Sequence, residues 1–556
     1  MAILESGSLY STHEVTNQAP PLVDYNLYDS DTVLAEAARR EGAAWHEEGA
    51  RKFGALCGSA RVIELGHLAN KHTPEFKSHD RYGHRVDEVE YHPAYHELLA
   101  IGIEGGAHAL AWNHKGPGGH VARTVNEFIL GQVESGVCCP ISMSFAVVPA
   151  LRNQPDIAEE WVPRVTSTIY DPRFIPAAAK RGCIMGMAMT EKQGGSDVRA
   201  NTTRAVALGI GGPGNEYELT GHKWFCSAPM SDAFLTLAHT DVGLSCFLVP
   251  RFKPDGAKNR FYIQRLKNKL GNRSNASSEI EYLGTWAVMV GEEGRGVPTI
   301  IDMVSHTRLD CTIGAAGLMR QAVAQAIHHA THRAAFGKRL TRQPLMKNVL
   351  ADLAVESEAA TILMMRLARA YDEDRIDPSN VAFTRIGTAI AKYWLCKRVV
   401  GVVHEALECH GGAGYVEESI LPRLYREAPL NGIWEGSGNV MCLDVLRAMQ
   451  REPETVPAFV AELESARGMD ARVDAAIDRA KSELTAAADM ESRARRVVGS
   501  LARAWQGALM LKHGHAASAE AYCASRVAGD RGDEYGTLPP GLAFDAIIER
   551  AAPRLG

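Results

Sequence analysis

Apolar positions recur at helical spacing from about Ser30 to Lys180, as in DTVLAEAARREGAAWHEEGARKFG, where Leu34, Ala37, Ala38 and Trp45 fall near one face and Asp31 stands at a capping position. Gly and Pro clusters, HKGPGGH and VVPALRNQPD, divide this part into separate rods. After Arg181 the period changes. CIMGMAM, YELTGHKWF, AFLTLAHT, LSCFLVP, FYIQRLK and SSEIEYL are short, rich in β-branched and aromatic residues, and separated by Gly, Asn, Asp and Pro, which predicts an antiparallel sheet or barrel. Beyond Gly296 the helical period returns in three long pieces of bundle length, and a last segment from Arg451 is again helical. The pattern predicts four units: an N-terminal extension and helical domain over 1–180, a β-domain over 181–290, a helical bundle over 291–450 and a C-terminal helical appendage over 451–556.

A chain of 556 residues with 46% apolar composition is too long for one compact unit, so several domains should share buried contacts. The formal net charge of -6 excludes a chain that is basic throughout, and any nucleic-acid contact has to be local. Eleven cysteines, none in a CxxC pair, predict reduced and mostly buried thiols in a cytoplasmic setting. The opening MAILESGSLYSTHEV has neither a basic region nor an apolar core, which argues against a secretory or transit leader, and no run of 18 apolar residues predicts a membrane span.

Three clusters carry candidate chemistry. Met187-Ala-Met189-Thr190-Glu-Lys-Gln-Gly-Gly195-Ser196-Asp197 is a strand running into a glycine-rich turn, whose backbone N–H groups and hydroxyls can meet an anion or a carbonyl-rich ring. Taken alone it is more often a plain turn. Gly221-His-Lys-Trp-Phe225-Cys226-Ser227 has a turn expected at Gly221 and then a strand that ends in an aromatic and a hydroxyl; a plain core strand is the bland reading. Asn431-Gly-Ile433-Trp434-Glu435-Gly436-Ser437-Gly-Asn439 frames a carboxylate with glycines between two helices, beside an indole able to desolvate it and raise its pKa. Its bland reading is a helix-capping loop.

Together with Arg333-Ala-Ala-Phe336-Gly-Lys and Gly411-Gly412-Ala-Gly-Tyr, these clusters stand in the order found in the acyl-CoA dehydrogenase superfamily, which the chain resembles. MTEKQGGSDV, KLGNRSNAS, QPLMKNVL, LPRLYREAPLN and IWEGSGNVMCLDVLR resemble its AidB-like, alkylation-response branch, over nearly the whole chain. The resemblance implies a mainly α fold with a central β-domain: an N-terminal helical domain, an antiparallel β-domain, a C-terminal helical bundle and an extra C-terminal helical region. It implies FAD, with Met187, Met189, Thr190, Gly195 and Ser196 along the ring and phosphates, and Phe225, Cys226 and Ser227 beside the ring. Arg333, Phe336, Gln343, Gly411 and Gly412 would meet the adenylate half of a neighbouring subunit's FAD, so a homotetramer built as a dimer of dimers is implied. Ile433, Trp434, Gly436, Ser437 and Asn439 would complete the site. Glu435 would remove the α-proton of an acyl thioester while a β-hydride leaves for the flavin; the alternative base position of some relatives is Thr307 here. Lys192 and Gln193 depart from the family pattern by putting polar bulk near the ring, and Glu408 by putting an acid near the partner's pyrophosphate.

The branch also implies double-stranded DNA as a partner through the C-terminal region. From Ser492 to Ala519 there are five Lys or Arg and no acid, and Arg493, Arg496 and Arg503, with Lys512 further on, could neutralise phosphates. Val497, Leu501, Trp505 and Ala508 form a separate apolar stripe, as on an ordinary half-buried helix. His328 and His332 lack a third ligand, so no metal is expected, and no GxGxxG follows a strand as a dinucleotide fold requires. Three functions follow: dehydrogenation of a short or branched acyl-CoA, a DNA-protecting flavoprotein with little thioester turnover, and oxidation of another carbon acid such as a nitroalkane.

Overall fold

The computed structural model describes residues 12–377, 380–486 and 488–555, so the stretch inspected for a leader lies in large part outside the described residues. Helices α1 (Thr32–Ala38), α2 (Glu47–Cys57) and α3 (Ala60–Lys71) come first. A hairpin of β1 (Glu75–His79) and β2 (Arg85–Glu90) follows, then α4 (Pro93–Glu104), α5 (Leu110–Asn113), α6 (Gly119–Val133), α7 (Cys138–Leu151) and α8 (Pro155–Val165). The Asp31 carboxylate caps α1 by accepting from the Leu34 N–H at 3.0 Å, as its position foretold. The single rod expected through Phe53 is instead broken at Gly42, whose φ of 106° turns the chain. Leu34, Ala37 and Ala38 are buried, but beyond the break Trp45 lies on the surface, stacked on His114 with ring centroids 3.8 Å apart. The hairpin β1–β2 is a second departure from an all-helical N-terminal part.

The β-domain comprises β3 (Met185–Ala188), β4 (Arg204–Ala207), β5 (Glu216–Ser227), β6 (Ala233–His239), β7 (Leu244–Pro250), β8 (Phe261–Leu266) and β9 (Ser277–Val290). β6, β4, β5, β9 and β7 pair in that order and β7 returns to β6, closing a small barrel; β8 lies on β9. Most pairings are antiparallel, but β3 runs parallel to β6. Gly221 is no turn. It lies inside β5, where a Cβ would stand 2.6 Å from the Thr203 Cα, so glycine is required by the neighbouring backbone.

Three long helices, α9 (Gly296–His332), α10 (Pro344–Ile376) and α11 (Val381–Cys409), form the bundle. Between α9 and α10 the short strands β10 (Ala334–Ala335) and β11 (Lys338–Arg339) make a hairpin. Short α12 (Gly412–Tyr415), α13 (Leu421–Glu427) and α14 (Gly438–Arg451) bring the chain to the last helices, α15 (Thr455–Glu464), α16 (Ala471–Thr485), α17 (Met490–His513), α18 (Ala516–Tyr522) and α19 (Phe544–Ala551). These last helices pack on α10 and α11 instead of standing apart. The stripe Val497, Leu501, Trp505 and Ala508 is buried in that contact, and Arg550 pairs with Glu36 and Glu358. All eleven cysteines are free and ten are buried. Among the described residues no helix is long and apolar enough to cross a membrane, and no group of three His, Cys, Asp or Glu side chains is placed to hold a metal.

Candidate functional site

The loop between α13 and α14 carries Glu435 with a φ of 56°, a conformation that costs a non-glycine residue roughly 1–3 kcal/mol unless its surroundings hold it. Two buried cations do so. The Lys392 ammonium, from the middle of α11, donates to the carbonyls on either side, that of Trp434 at 2.6 Å and that of Gly436. Arg308 of α9 donates through Nε to the Glu435 carbonyl at 3.0 Å. Trp434 is fixed in turn by its indole N–H on Asn431 Oδ1 at 2.9 Å and packs against both of the protein's apolar clusters.

The loop's carboxyl group points inward. Its Oε2 is buried and has no hydrogen-bond partner among the described residues. Burial raises its pKa above the ordinary value, while the Thr307 hydroxyl and the charges of Lys392 and Arg308 pull it back. Arg308 also pairs with Asp444 at 2.9 Å, and Asp444 receives Arg385 through two 3.0 Å bonds and Arg447 at 3.4 Å. Burial would raise the Asp444 carboxyl, but Arg308 and Arg385 hold it below the usual carboxylate range. Neither Lys392, Arg308 nor Asp444 was singled out from the sequence; the only signal is a lysine inside the otherwise apolar IAKYWL.

Behind this wall opens a cleft of about 810 Å³. It runs between Trp112 and His120, the turn Ser196–Arg199, the first turns of α9 and the arginines Arg385, Arg447 and Arg451. Arg308 and Asp444 form part of its lining, so the cleft abuts the loop that carries Glu435. Burial displaces titratable groups in it: Asp374 is pushed up to about 7, Asp302 and Tyr371 are also raised, and His306 is pushed down to about 4.

The β-domain approaches the same place through the end of β5. Phe225 is half exposed, whereas the Cys226 side chain is buried in the barrel, leaving only its backbone for a surface partner. The Ser227 hydroxyl lies 3.3 Å from that of Ser277. Burial pushes the nearby Cys139 thiol up to about 11; Lys269 and Ser227 oppose that rise and Glu435 adds to it. Ser227 and Glu435, far apart in sequence, thus both act on the pKa of one buried thiol.

On the glycine-rich turn, Met187 and Met189 pack on the second apolar cluster, the Thr190 carbonyl accepts from the Trp224 N–H at 2.8 Å, and Ser196 is exposed on the cleft. Gly195 has no room for a side chain: a Cβ would stand 2.3 Å from Thr190 Oγ1. The buried Glu191, passed over in the sequence, holds the turn by accepting from the N–H and hydroxyl groups of Thr202 and Thr203, from Gln193 and, at 2.9 Å, from the buried Lys223. Gln193 is committed to Glu191 and the Ala200 carbonyl, and Lys192 extends toward Glu281, 3.7 Å away.

A second group of predicted residues lies on the outer surface. Phe336, at the tip of the β10–β11 hairpin with a φ of 51°, is 97% exposed. Gln343 donates to the Ala335 carbonyl at 2.9 Å, and Arg333 donates to the Asn17 carbonyl at 2.6 Å. Gly411 and Gly412 are exposed, as is Glu408, and the hairpin and the Gly411 segment are joined through His329 and His410, with ring centroids 4.5 Å apart. In the loop itself Ile433 is 64% exposed, Gly436 has a φ of 103°, Ser437 begins α14 by accepting from the Met441 N–H at 2.9 Å, and Asn439 accepts from Arg495 at 2.8 Å.

The four cations read as a DNA face have different partners within the chain. Arg493 donates to the carbonyls of Ala486 and Ala488, Arg503 lies over the Trp394 ring at 5.6 Å, and Lys512 donates to Ser465 at 3.0 Å. Arg496 and Lys512 are exposed, and Arg496 lies 3.6 Å from Glu483.

Residues 17–172 match the N-terminal domain of adaptive response protein AidB, 186–284 the acyl-CoA dehydrogenase middle domain and 294–450 the acyl-CoA dehydrogenase C-terminal domain. The chain is 45% identical to AidB of Escherichia coli (strain K12) over 92% of its own length and 94% of that protein. It is 30% identical to acyl-CoA dehydrogenase family member 11 of Caenorhabditis elegans over 88% of its length and 84% of that protein. The crystal structure of Caenorhabditis elegans ACDH-11 in complex with C11-CoA superposes with a TM-score of 0.84 at 27% identity, covering 93% of this chain and 94% of that one.

Proposed function

The chain belongs to the acyl-CoA dehydrogenase family of oxidoreductases, in the branch with an AidB N-terminal domain, and from that membership we propose that it is an FAD-dependent dehydrogenase of a short or branched acyl thioester. The observation that carries this reading is the buried, unpartnered Oε2 of Glu435 on a strained loop held by Lys392 and Arg308. A carboxylate oxygen with no partner of its own is free to accept a proton, and burial keeps the pKa of the group nearer that of a useful base.

The residues present fit a flavin. The turn around Gly195 cannot admit a Cβ, Phe225 offers an exposed ring at the end of β5, and Ser227 offers a hydroxyl beside it. Phe336 and the Gly411 segment present a surface suited to the adenylate half of a partner's cofactor, in a cytoplasmic homotetramer. When bound, FAD supplies the acceptor for the hydrogen and two electrons that leave the β-carbon. Glu435 takes the α-proton onto Oε2, so that the acyl group leaves as the α,β-unsaturated thioester. The Glu435 N–H polarises the thioester carbonyl, Trp434 keeps water from the carboxyl, and Arg447 and Arg451 meet the anionic tail of the thioester along the cleft.

The alternative, a flavoprotein on double-stranded DNA with little thioester turnover, draws less support, because three of the four cations it relies on are engaged within the chain. Anaerobic titration of the FAD-loaded protein with a panel of acyl-CoAs tests the choice: bleaching of the flavin by a short or branched member is expected, and no bleaching by any member removes the dehydrogenase reading.

A further inference from the structure

One buried cation near the site is not used by the chemistry above. Lys269 lies in the connection between β8 and β9, and its ammonium donates to the Asn275 carbonyl at 2.5 Å and to Ser277 Oγ at 3.0 Å. Ser277 and Ser227 are register partners across the β5–β9 pair, with their hydroxyl oxygens 3.3 Å apart.

Donor and acceptor rules give this chain a direction. An ammonium can only donate, so the Ser277 oxygen receives it, and the positive charge repels the Ser277 proton and turns it toward the Ser227 oxygen, its neighbour at 3.3 Å. Ser227 then accepts from behind, which frees its own proton to point onward, toward a molecule lying against the end of β5. In such a chain each bond polarises the next, and the buried positive charge strengthens the last donor.

We infer that Lys269 is a positioning residue that, through Ser277, turns the Ser227 hydroxyl outward as a donor to the bound flavin and so favours the reduced over the oxidised cofactor; this rests on the reading of Ser227 as a ring contact given above. Electron density gained by the ring on reduction is stabilised by a donor backed by a positive charge, and the oxidised ring gains less from it.

The charge at Lys269 is itself adjustable. Burial pulls its pKa down to about 8, against the Cys139 thiol of α7, Glu427 of α13 and Glu134 of the segment between α6 and α7, all of which favour the ammonium. Glu427 is pushed up to about 7 by burial and by Glu134, while Arg423 and Lys269 oppose that rise. Two groups in this pocket therefore titrate near neutrality, and the experiment has to separate them.

The midpoint potential of bound FAD, followed spectroelectrochemically from pH 6 to 10, provides the test. In Lys269→Met and Ser277→Ala the preference for reduced FAD is expected to fall about tenfold, which for two electrons is about 30 mV toward lower potential. The unaltered protein should show an additional bend near pH 8 that Lys269→Met lacks and Glu427→Gln keeps, and Lys269→Arg should restore the potential at pH 7. Ser277→Ala carries the test should the buried lysine be needed for folding. If both variants match the unaltered protein while Ser227→Ala shifts the potential, the role of Lys269 is refuted and the ring contact survives; if Ser227→Ala also leaves the potential unmoved, the ring contact itself is refuted.

Discussion

Replacing Glu435 by Gln keeps the shape of the side chain while removing its ability to take a proton. In the native loop, the buried Oε2 is an acceptor without a partner, a defect of about 1–3 kcal/mol. The amide that replaces it is a buried donor without a partner, at a similar cost, and Lys392 and Arg308 bind backbone carbonyls that the substitution does not touch. The variant should therefore fold and hold FAD with a stability within about 1 kcal/mol of the parent at acid pH, while flavin reduction by substrate slows by at least ~10²–10⁴-fold, the contribution of a positioned base. The pH dependence gives a second handle. Because burial raises the folded pKa of this carboxyl, its protonated form is favoured in the native state. Its contribution to stability is fully present below the ordinary value of 4.5 and is lost as pH rises through the folded value. Gln has no such dependence, so the melting temperature of Glu435→Gln relative to the parent should climb from pH 4 to neutrality, over the same range in which the parent's reduction rate rises as the base ionises. Stopped-flow reduction and thermal melts across pH check both. Undiminished reduction, or a difference in melting temperature that falls with pH, refutes the assignment.

Asp444→Asn removes the carboxylate shared by Arg308, Arg385 and Arg447 and should cost about 3–5 kcal/mol, seen as a lower melting temperature. Trp505→Ala, at a fully buried position between α17 and the bundle, should cost about 3–5 kcal/mol by the same measurement; a loss below about 1 kcal/mol would mean that the C-terminal helices are loosely attached. Phe336→Ala should leave the melting temperature of FAD-free protein within about 0.5 kcal/mol of the parent in stability terms, yet lower the FAD-to-protein ratio and the assembled mass by light scattering, and an unchanged ratio removes the hairpin from the cofactor site. If duplex DNA binds, changing Arg493, Arg496 and Arg503 together to Gln should flatten the salt dependence of log K by about one phosphate contact, ~0.9, because Arg496 is the one exposed member of the three while Arg493 is held on carbonyls and Arg503 on an indole; a change near ~2.7 would restore the full cationic face.

What could be read from the sequence were features with a local cause. Asp31 caps a helix three residues downstream, the three long helices keep their apolar period, and Glu435 stands between glycines that can only belong to a loop. The missed features have partners far away along the chain. The β1–β2 hairpin alternates polar side chains on both faces, so its period gives no core side, and Gly42 breaks a helix because the chain must turn there. Gly221 looked like a turn, yet its reason is the Thr203 backbone across the strand pair. Lys392, Arg308 and Glu191 act by reaching carbonyls and hydroxyls tens or hundreds of residues away, which no spacing rule reports.

The helices that close over α10 and α11 are synthesised after the bundle they cover. At ~5–20 residues per second, a ribosome takes roughly 5–20 s to make residues 455–551, and during that interval the face of the bundle destined for Trp505 and its neighbours is bare. Apolar surface bared for that long is what holding chaperones bind, so the yield of folded chain in a cell should depend on their supply more steeply than its melting temperature suggests.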